Sequence, residues 1–332
     1  MRWTISVAAA LLLACGAARA EPVAIKVAWI VAPTDSPLAM LGKKGISRHE
    51  GVSYTLDYVH FTSTPAMITG LASGEVDLAP LGFPAFALAI ENAHLDDLRA
   101  VADSLEDGVG DAFTNGFYVL NDGPVKTIED LKGKIVTSNA IGAAIDIGLR
   151  IMLRKHGLED KRDYTLIESQ FPTMKAELLQ HKVDMASLVP PFAFDPQLNS
   201  VAHILFTQKE AMGGPSQLLV TSARASFIAK HRAALVDYFE DNLRQIRWYF
   251  DPAHHAEVLK IVTAFTKTPP SLWQGWAFTS KDSYRDPNGK PNLDALQSNI
   301  DAAHELGFIP AALDPHKYAD LSLVAEAASR LK

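Results

Sequence analysis

The sequence has 332 residues, of which 38 are acidic and 31 basic, and its formal net charge is −7. This acidic balance argues against nucleic acid as the partner, although backbone dipoles still allow a small anion to bind locally. The only cysteine is Cys15, so the residues after it form no disulfide, no thiolate metal site and no cysteine nucleophile.

Residues 1–20 have the pattern of a secretory signal peptide. Arg2 precedes the apolar run TISVAAALLLACGA, and A-R-A stands before Glu21. The apolar run is too short to cross a bilayer as a mature helix. A rival interpretation takes LLAC as a lipoprotein box with Cys15 lipidated, but Leu13 fits that box poorly. We therefore expect cleavage after Ala20 and a periplasmic protein.

Two segments of the chain repeat each other. The segment TPAMITGLASGEVDLAPLGFPAF, which starts at Thr64, aligns with FPTMKAELLQHKVDMASLVPPFAF, which starts at Phe171. Seven positions are identical at one offset of 107 residues, among them Asp77 and Asp184. The same offset lays the early strand KVAWIV over GKIVTS. We interpret the repeat as a duplicated α/β unit, although convergent helix and strand patterns alone supply some of the identities.

The first copy shows the local order of elements. The alternating, β-rich SYTLDYVHF predicts a strand, and Thr64 as N-cap with Pro65 at the first helical position predicts the start of a helix. Gly74 is placed to end that helix, and VDLAPLG resumes as a short buried strand. Strands that alternate with helices predict parallel sheets covered on both faces.

Two further strands, Phe117–Leu120 and Leu218–Thr221, are predicted to cross between two lobes. A long amphipathic helix from Ser226 then returns the chain to the first lobe. We also expect the polar loop at 279–294 to lie on the surface, and a ligand cleft to lie between the lobes. The predicted organisation is a signal segment at 1–20, a first lobe at 21–116 and 221–332, and a second lobe at 117–220.

Ligands in open α/β sheets bind beyond the carboxyl ends of the strands, where the helices begin. At one such junction, VTSNAIGAA, a helix opens with Gly142, Ala143 and a second alanine. An anion can therefore approach the free N–H groups of this helix without meeting a basic side chain. Ser138 and Asn139 add hydrogen-bonding side chains at the same place. Alternatively, the small residues only let the helix pack closely on its sheet, and this stretch leaves both interpretations equally open.

Other junctions offer further candidate contacts. Ser36 is followed by a proline and is a candidate helix cap that faces the cleft. Asp35 beside it points to solvent, caps the helix or contacts an amino group of the ligand. Ser63 and Thr64 are explained by capping and are also candidate ligand contacts.

Aromatic residues stand at two of the junctions, in LGFPAF and VPPFAF. Phe83, Phe192 and Phe194 are candidates for a platform under the carbon skeleton of a ligand, although a place in the core is the commoner outcome for any single one. His60, at the end of its strand, is either a structural histidine or a cleft residue.

The sequence shows no catalytic or metal-binding motif. It contains no G-x-S-x-G, no Walker A loop, no H-E-x-x-H and no G-x-G-x-x-G after a strand. His254, His255 and Glu257 look like a metal cluster, but adjacent residues do not share a helix face, which favours a solvated surface. Asp146 and Arg150 are four residues apart and are expected to pair with each other. We therefore predict no catalytic residue, no metal and no cofactor.

Taken together, the motifs resemble the extracytoplasmic substrate-binding proteins of ABC importers, in the group associated with nitrate, alkanesulfonates and taurine. The resemblance rests on STPAMITGLASGEVDLAPLG, LKGKIVTSNAIGAAIDIGLRIMLRKHGL, FPTMKAELLQHKVDMASLVPPFAF and the C-terminal YADLSLVAEA. It covers essentially the whole chain after the signal segment. It implies a two-lobed periplasmic-binding-protein fold of type 2, a monomer that closes on a small organic anion and delivers it to membrane permease subunits.

The resemblance and the junction residues together give one set of candidate ligand contacts. These are Thr34, Asp35, Ser36, Ser63, Thr64, Gly82, Phe83, Ser138, Asn139, Ile141, Gly142, Ala143, Pro190, Pro191 and Phe192. One departure matters, because members that bind compact oxyanions often have Ser or Thr where this sequence has Gly142, Ala143 and Ala144. The missing hydroxyls argue against nitrate or a simple sulfonate and leave room for a larger organic acid, including an aromatic carboxylate.

The resemblance leaves two alternatives to an importer component. The same fold contains enzymes of thiamine-pyrimidine and menaquinone synthesis, although the former would predict a cysteine-rich motif and an export signal fits neither pathway. A sensor-type binding protein that presents its ligand to a receptor is the other alternative. Recovery of the ligand unchanged would separate both kinds of binding protein from an enzyme.

Overall fold

The computed structural model describes residues 21–331. The predicted signal segment, with Cys15, lies outside the described residues. The described chain forms two five-stranded sheets flanked by helices, which confirms the predicted two-lobed α/β architecture. Within this range, no helix combines the length and the apolar character needed to cross a bilayer.

Ten strands make up the two sheets. In chain order they are β1 (Val23–Trp29), β2 (Tyr54–His60), β3 (Leu78–Gly82), β4 (Leu98–Asp107), β5 (Gly116–Leu120), β6 (Ile135–Ser138), β7 (Thr165–Glu168), β8 (Met185–Leu188), β9 (Ala202–Thr207) and β10 (Ser216–Arg224).

The α-helices of the described chain flank these sheets. They are α1 (Thr64–Ser73), α2 (Phe83–Glu91), α3 (Ala144–Lys155), α4 (Phe171–Leu179), α5 (Pro196–Val201), α6 (Gln208–Met212), α7 (Ala225–Tyr249), α8 (His255–Thr266), α9 (Leu293–Glu305) and α10 (Ser322–Arg330). Short 3-10 helices lie at Leu38–Leu41, Glu129–Leu131, Phe192–Phe194, Pro252–His254, Pro270–Leu272 and Pro315–Tyr318.

The two sheets share one plan, in agreement with the sequence repeat. The first sheet has the strand order β2-β1-β3-β10-β4, and the second has the order β7-β6-β8-β5-β9. In each sheet the first three strands are parallel, and the fourth runs antiparallel to both of its neighbours. The repeated segments occupy matching positions, since α1 and β3 of the first copy correspond to α4 and β8 of the second.

The fourth strand of each sheet comes from the other half of this plan, because β5 follows β4 of the first sheet and β10 follows β9 of the second. The prediction that Phe117–Leu120 and Leu218–Thr221 cross between the lobes is therefore wrong. Both segments are almost wholly buried inside one sheet, and the chain crosses at 108–115 and 208–215. The predicted lobe limit at residue 220 falls within β10, and the exact limits of the lobes stay a prediction.

Helix α1 begins one position earlier than the predicted cap. Ser63 is the N-cap, without a side-chain capping hydrogen bond, and Thr64 is the first helical residue. The Thr64 hydroxyl is therefore not used for capping. Gly74 ends the helix with φ +74°, as its position predicted.

Helix α3 packs against both lobes. Ala144, Ile147 and Ile151 lie in an apolar core with residues of the first sheet. On the other side of the same helix, Leu149 and Leu153 lie in the core of the second sheet. Because α3 follows β6 of the second sheet, its N-terminus is held between the two lobes.

The polar segment at 279–294 is not a surface loop. Ser283 is only 1% exposed, and Asp282 is buried beside it. The backbone of Tyr284 pairs with that of Glu106 in β4. The expectation fails because the charged groups of this segment are compensated by others that meet them only in the folded chain.

Candidate functional site

A cavity lies between the lobes, where strands of both sheets end and helices of both lobes begin. This inner cavity holds about 520 Å³ of empty space, including space open to solvent. Among the described residues that line it, most are apolar and none is lysine or arginine. The lining residues are Ile30, Val31, Thr34, Asp35, Thr64, Leu105, Thr114, Asn139, Ala143, Ala144, Ile145, Phe171, Val189, Leu218, Leu219 and Ser283.

Two helix N-termini meet at the inner cavity, that of α1 at Thr64 and that of α3 at Ala144. The end of β3 fits between them at Gly82. A Cβ added to Gly82 would lie 3.2 Å from Thr64 Oγ1 and 3.3 Å from Ala144 Cβ, which is tighter than an ordinary contact. The missing side chain of Gly82 therefore lets the two helix starts approach each other across the lobes.

The first turn of α3 offers free backbone amides. The N–H groups of Ala144, Ile145 and Asp146 have no hydrogen-bond partner among residues 21–331. Such amides lie at the positive end of the helix dipole and bind anions without a basic side chain.

Several buried polar side chains around the inner cavity lack a partner within the described chain. Thr64 Oγ1 and Asn139 Oδ1 both belong to residues that line the cavity, and Thr64 is 5% exposed. The hydroxyls of Ser36, Thr137 and Ser138 are also buried without a partner, in the loop after β1 and in β6. Because buried polar groups are nearly always hydrogen-bonded, this cluster is typical of a site that binds a polar ligand.

The predicted anion-binding amides at 141 and 142 are engaged by the chain itself. Ile141 N donates to Glu168 Oε1 at 2.6 Å, and Gly142 N donates to Asp146 Oδ2 at 2.7 Å. The side chain of Ile141 is also 58% exposed and does not line the inner cavity. The free amides therefore begin at Ala144, about one turn later than predicted.

Gly142 is explained by its backbone. Its φ is +81°, a conformation that favours glycine, and no atom lies within 4 Å of an added Cβ. The turn into α3 therefore requires this glycine, whereas Ala143 lines the inner cavity and Ala144 packs between the lobes. Both interpretations of the small residues hold, each for a different residue.

The loop after β1 offers no second helix N-terminus. The segment Leu38–Leu41 is a single four-residue 3-10 helix, too short to support the predicted amide site at 36–39. Ser36 is buried and faces a separate polar cavity within the first lobe.

Asp35 stabilises its own loop. Its Oδ1 accepts hydrogen bonds from Val31 N at 2.6 Å and from Ile30 N at 3.1 Å. Burial raises the pKa of Asp35 to about 6, although these two hydrogen bonds act to lower it. Of the roles that the sequence left open, capping describes Asp35 best, with local loop amides in place of a helix.

The segment at 279–294 contributes site residues that sequence reasoning missed. Ser283 lines the inner cavity, and Arg285 donates hydrogen bonds to the carbonyls of Pro33 and Thr34. Arg285 is thus a positioning residue for the loop that carries Thr34. Three carboxylates offset its charge, those of Asp35, Asp103 and Asp282. No spacing in the sequence marks this cluster, because its members are far apart along the chain.

A direct hydrogen bond joins the two walls of the cleft. Thr34 Oγ1 donates to the carbonyl oxygen of Pro190 at 3.0 Å. Pro190 and Pro191 are buried at the end of β8, and Ser63 is buried at the start of α1. These predicted residues thus lie around the cleft, and whether each contacts a ligand stays a prediction.

The predicted phenylalanine platform is only partly present. Phe83 is 0% exposed and belongs to the core of the first lobe, and Phe194 stacks on Trp276 with ring centroids 4.6 Å apart. Phe192 instead lines a second cavity of about 840 Å³, which we call the vestibule. The placement of Phe83 differs from the prediction because α2 is buried on nearly every face.

Two further side-chain predictions have structural answers. Asp146 Oδ1 accepts a hydrogen bond from Arg150 Nε at 2.9 Å, which confirms that pair. His254 stacks on Trp248 with ring centroids 4.7 Å apart.

Within residues 21–331, one group of side chains has the spacing of metal ligands: His49, Asp237 and Glu240. Arg330 pairs with Asp237 at 2.8 Å, and Arg244 pairs with Glu240 at 2.5 Å. The arginines explain the group as an ion-pair network.

The profile of the NMT1-like family matches residues 18–263, which is most of the chain. The chain belongs to the NMT1-like family. Solved structures similar to this NMT1-like protein include the alkanesulfonate-binding protein SsuA from Xanthomonas axonopodis pv. citri bound to MOPS, with 18% identity, a TM-score of 0.69, and coverage of 91% of this chain and 99% of the other. The periplasmic nitrate-binding protein NrtA from Synechocystis PCC 6803 has 16% identity, a TM-score of 0.71, and coverage of 94% and 90%.

The desulfurization enzyme DszB is also similar in structure, with 13% identity, a TM-score of 0.65, and coverage of 93% of this chain and 100% of the other. At these identities the similarity shows the fold alone. The NMT1-like chain therefore has the two-lobed fold of periplasmic binding proteins, a fold that also carries an enzyme. None of the curated proteins matches the sequence.

Proposed function

We propose that this NMT1-like protein is the extracytoplasmic solute-binding component of an ABC importer. It captures a small organic anion between its lobes and hands it to membrane permease subunits. The signal-peptide pattern at 1–20 supports a periplasmic location, and the family membership and the shared fold support the role in uptake.

The observation that carries the anion is the meeting of free helix amides with an unpartnered hydroxyl. Thr64 Oγ1 and the amides of Ala144 to Asp146 lie at one cavity that is supplied by both lobes. Amides and hydroxyls can bind an acidic group and fix its orientation. The apolar remainder of the lining favours an organic body over a fully hydrated inorganic ion.

The contact between Thr34 and Pro190 supports a closing motion as part of this function. It joins loops from opposite lobes and so favours a closed arrangement around the cavity. A ligand that binds both walls stabilises the closed state by its difference in affinity for the closed and open states.

The experiment is calorimetric titration of the purified protein with a panel of sulfonates, carboxylates, taurine and nitrate. We compare the wild type with Thr64→Val, which removes the hydroxyl at nearly constant volume. Thr69→Val, at an exposed position on the same helix, is the matched control. We expect roughly 3- to 10-fold weaker binding for Thr64→Val and no change for Thr69→Val.

The bound acid is then recovered and analysed by mass spectrometry. Intact acid supports a binding protein, whereas a chemically altered acid would favour an enzyme, in line with the fold shared with DszB. Equal affinity of Thr64→Val and the wild type for every acid that binds would contradict the proposed anion site.

A further inference from the structure

The vestibule has the lining of a pocket for an aromatic ring. Trp29, His60 and Phe265 face it from the first lobe, and Phe171 and Phe192 face it from the second. Among the described residues that line it, none is aspartate, glutamate, lysine or arginine. A lining of this kind favours a flat apolar group over a second charged group.

The first-lobe side of the vestibule is fixed by strand pairing. Trp29 and His60 are paired residues at the carboxyl ends of the parallel strands β1 and β2. Their ring centroids lie 4.5 Å apart with an interplanar angle of 56°, and His60 Nε2 lies 3.2 Å from the carbonyl oxygen of Ile30. The two rings therefore form a preorganised wall.

The vestibule continues into the inner cavity. Ile30, Val31 and Phe171 line both spaces. One molecule can therefore place its acidic group near Thr64 and extend past Phe171 into the vestibule. Trp29 is half-exposed and Phe265 is more exposed still, so a bound ring would cover apolar surface that water now contacts.

We infer that the ligand is an aromatic acid whose acidic group occupies the inner cavity and whose ring occupies the vestibule between the lobes. The inference rests on the proposed function and names the substrate class of the same site. Because the aromatic side chains come from both lobes, the ring contributes to closure as well as to affinity.

The test uses pairs of probes that share an acidic group. Methanesulfonate is compared with benzenesulfonate, and acetate with benzoate, by calorimetric titration of the purified protein. We expect the aromatic member of at least one pair to bind at least about 10-fold more tightly. Aromatic and aliphatic probes of equal affinity would overturn the inference and leave the proposed function standing. If no organic acid of either kind binds, the proposed function falls as well.

Variants then locate the ring. Trp29→Leu should weaken the binding of the aromatic probe about 10-fold and leave the aliphatic probe unchanged. Tyr58→Leu is the matched control, since Tyr58 is an exposed aromatic on the same strand as His60 and lines neither cavity. Phe192→Leu, at a half-buried position, provides a second test if Trp29→Leu fails to fold. An equal loss for aromatic and aliphatic probes would overturn the assignment of the ring to the vestibule.

Discussion

The two copies of the repeat use one motif in different ways. After β3, LGFPAF continues into α2, and its Phe83 and Phe86 are both buried in the core of the first lobe. After β8, VPPFAF forms only a short 3-10 helix, with Phe192 at the vestibule and Phe194 stacked on Trp276. Aromatic residues at equivalent places thus support the core in one lobe and the ligand cleft in the other.

The difference shows that a repeat predicts topology better than function. Equivalent strands end at equivalent places because the backbone plan is shared. The surroundings of each phenylalanine depend on what packs on it, and α9 covers α2 in the first lobe. The predictions below test this contrast, from the largest expected effect to the smallest.

Phe83→Ala should lower the free energy of unfolding by about 3–5 kcal/mol, because it leaves a cavity in a closed core. Phe192→Ala should change it by less than about 1.5 kcal/mol and weaken ligand binding instead. Urea denaturation of both variants, with ligand titration of Phe192→Ala, measures the contrast. Similar losses of stability at the two positions would mean that the copies are not differentiated in this way.

The buried carboxyl groups of the first lobe should make stability depend on pH. Burial raises the pKa of Asp103 to about 7 and that of Glu106 to about 8. With raised pKa values the folded state binds more protons than the unfolded state in this range, so the free energy of unfolding should fall between pH 5 and pH 8. Glu106→Gln should remove roughly 1–3 kcal/mol of that fall.

Asp195 in the second lobe is the matched control for Glu106. It is partly buried, but hydrogen bonds from Lys175 and from the start of α5 hold its pKa below the ordinary value. Asp195→Asn should therefore leave the slope between pH 5 and pH 8 unchanged. Urea titrations at four pH values across this range decide the matter. A wild-type stability that rises from pH 5 to pH 8 would contradict the role assigned to the acids of the first lobe.

Gly82→Ala tests the close approach of the two helix starts. The added Cβ would press on Thr64 and Ala144, so the cleft would close less completely. We expect roughly 10-fold weaker ligand binding with a loss of stability of about 1–3 kcal/mol at most. Titration calorimetry measures the affinity, and unchanged affinity would show that the interlobe spacing at Gly82 is not critical.

Thr34→Val removes the hydrogen bond to Pro190 and should have the smallest effect. A single neutral hydrogen bond contributes about 0.5–1.5 kcal/mol, so we expect roughly 2- to 10-fold weaker binding with little change in unfolding. Small-angle X-ray scattering without ligand should show a more open average shape. An unchanged scattering profile together with unchanged affinity would argue against a role of this contact in closure.

The sequence predicts the fold more completely than the site. The repeat, the capping prolines and the alternation of strands and helices identify both lobes, because these signals are local. Thr34, Asp35, Thr64, Asn139 and Ala143 were predicted site residues and do line the inner cavity.

Other features depend on contacts between distant segments and could not be predicted. Ser283 and Arg285 reach the cleft only because their segment is buried against β4. Gly142 was interpreted as an opening for a ligand, whereas its positive φ depends on a turn geometry that the sequence does not reveal. Trp29 received no role, since nothing in its own neighbourhood shows that a second lobe stands opposite.

The exchange of the fourth strands also bears on the order in which the lobes form. The second sheet is built from one continuous stretch, 116–207, whereas the first must bring β10 at Ser216–Arg224 between β3 and β4. A chain that emerges from its N-terminus can complete the second sheet first, while the first sheet lacks an inner strand. Closing that long loop has an entropic cost that delays the last pairing. The first lobe, although it leads the sequence, is therefore expected to be the last to mature.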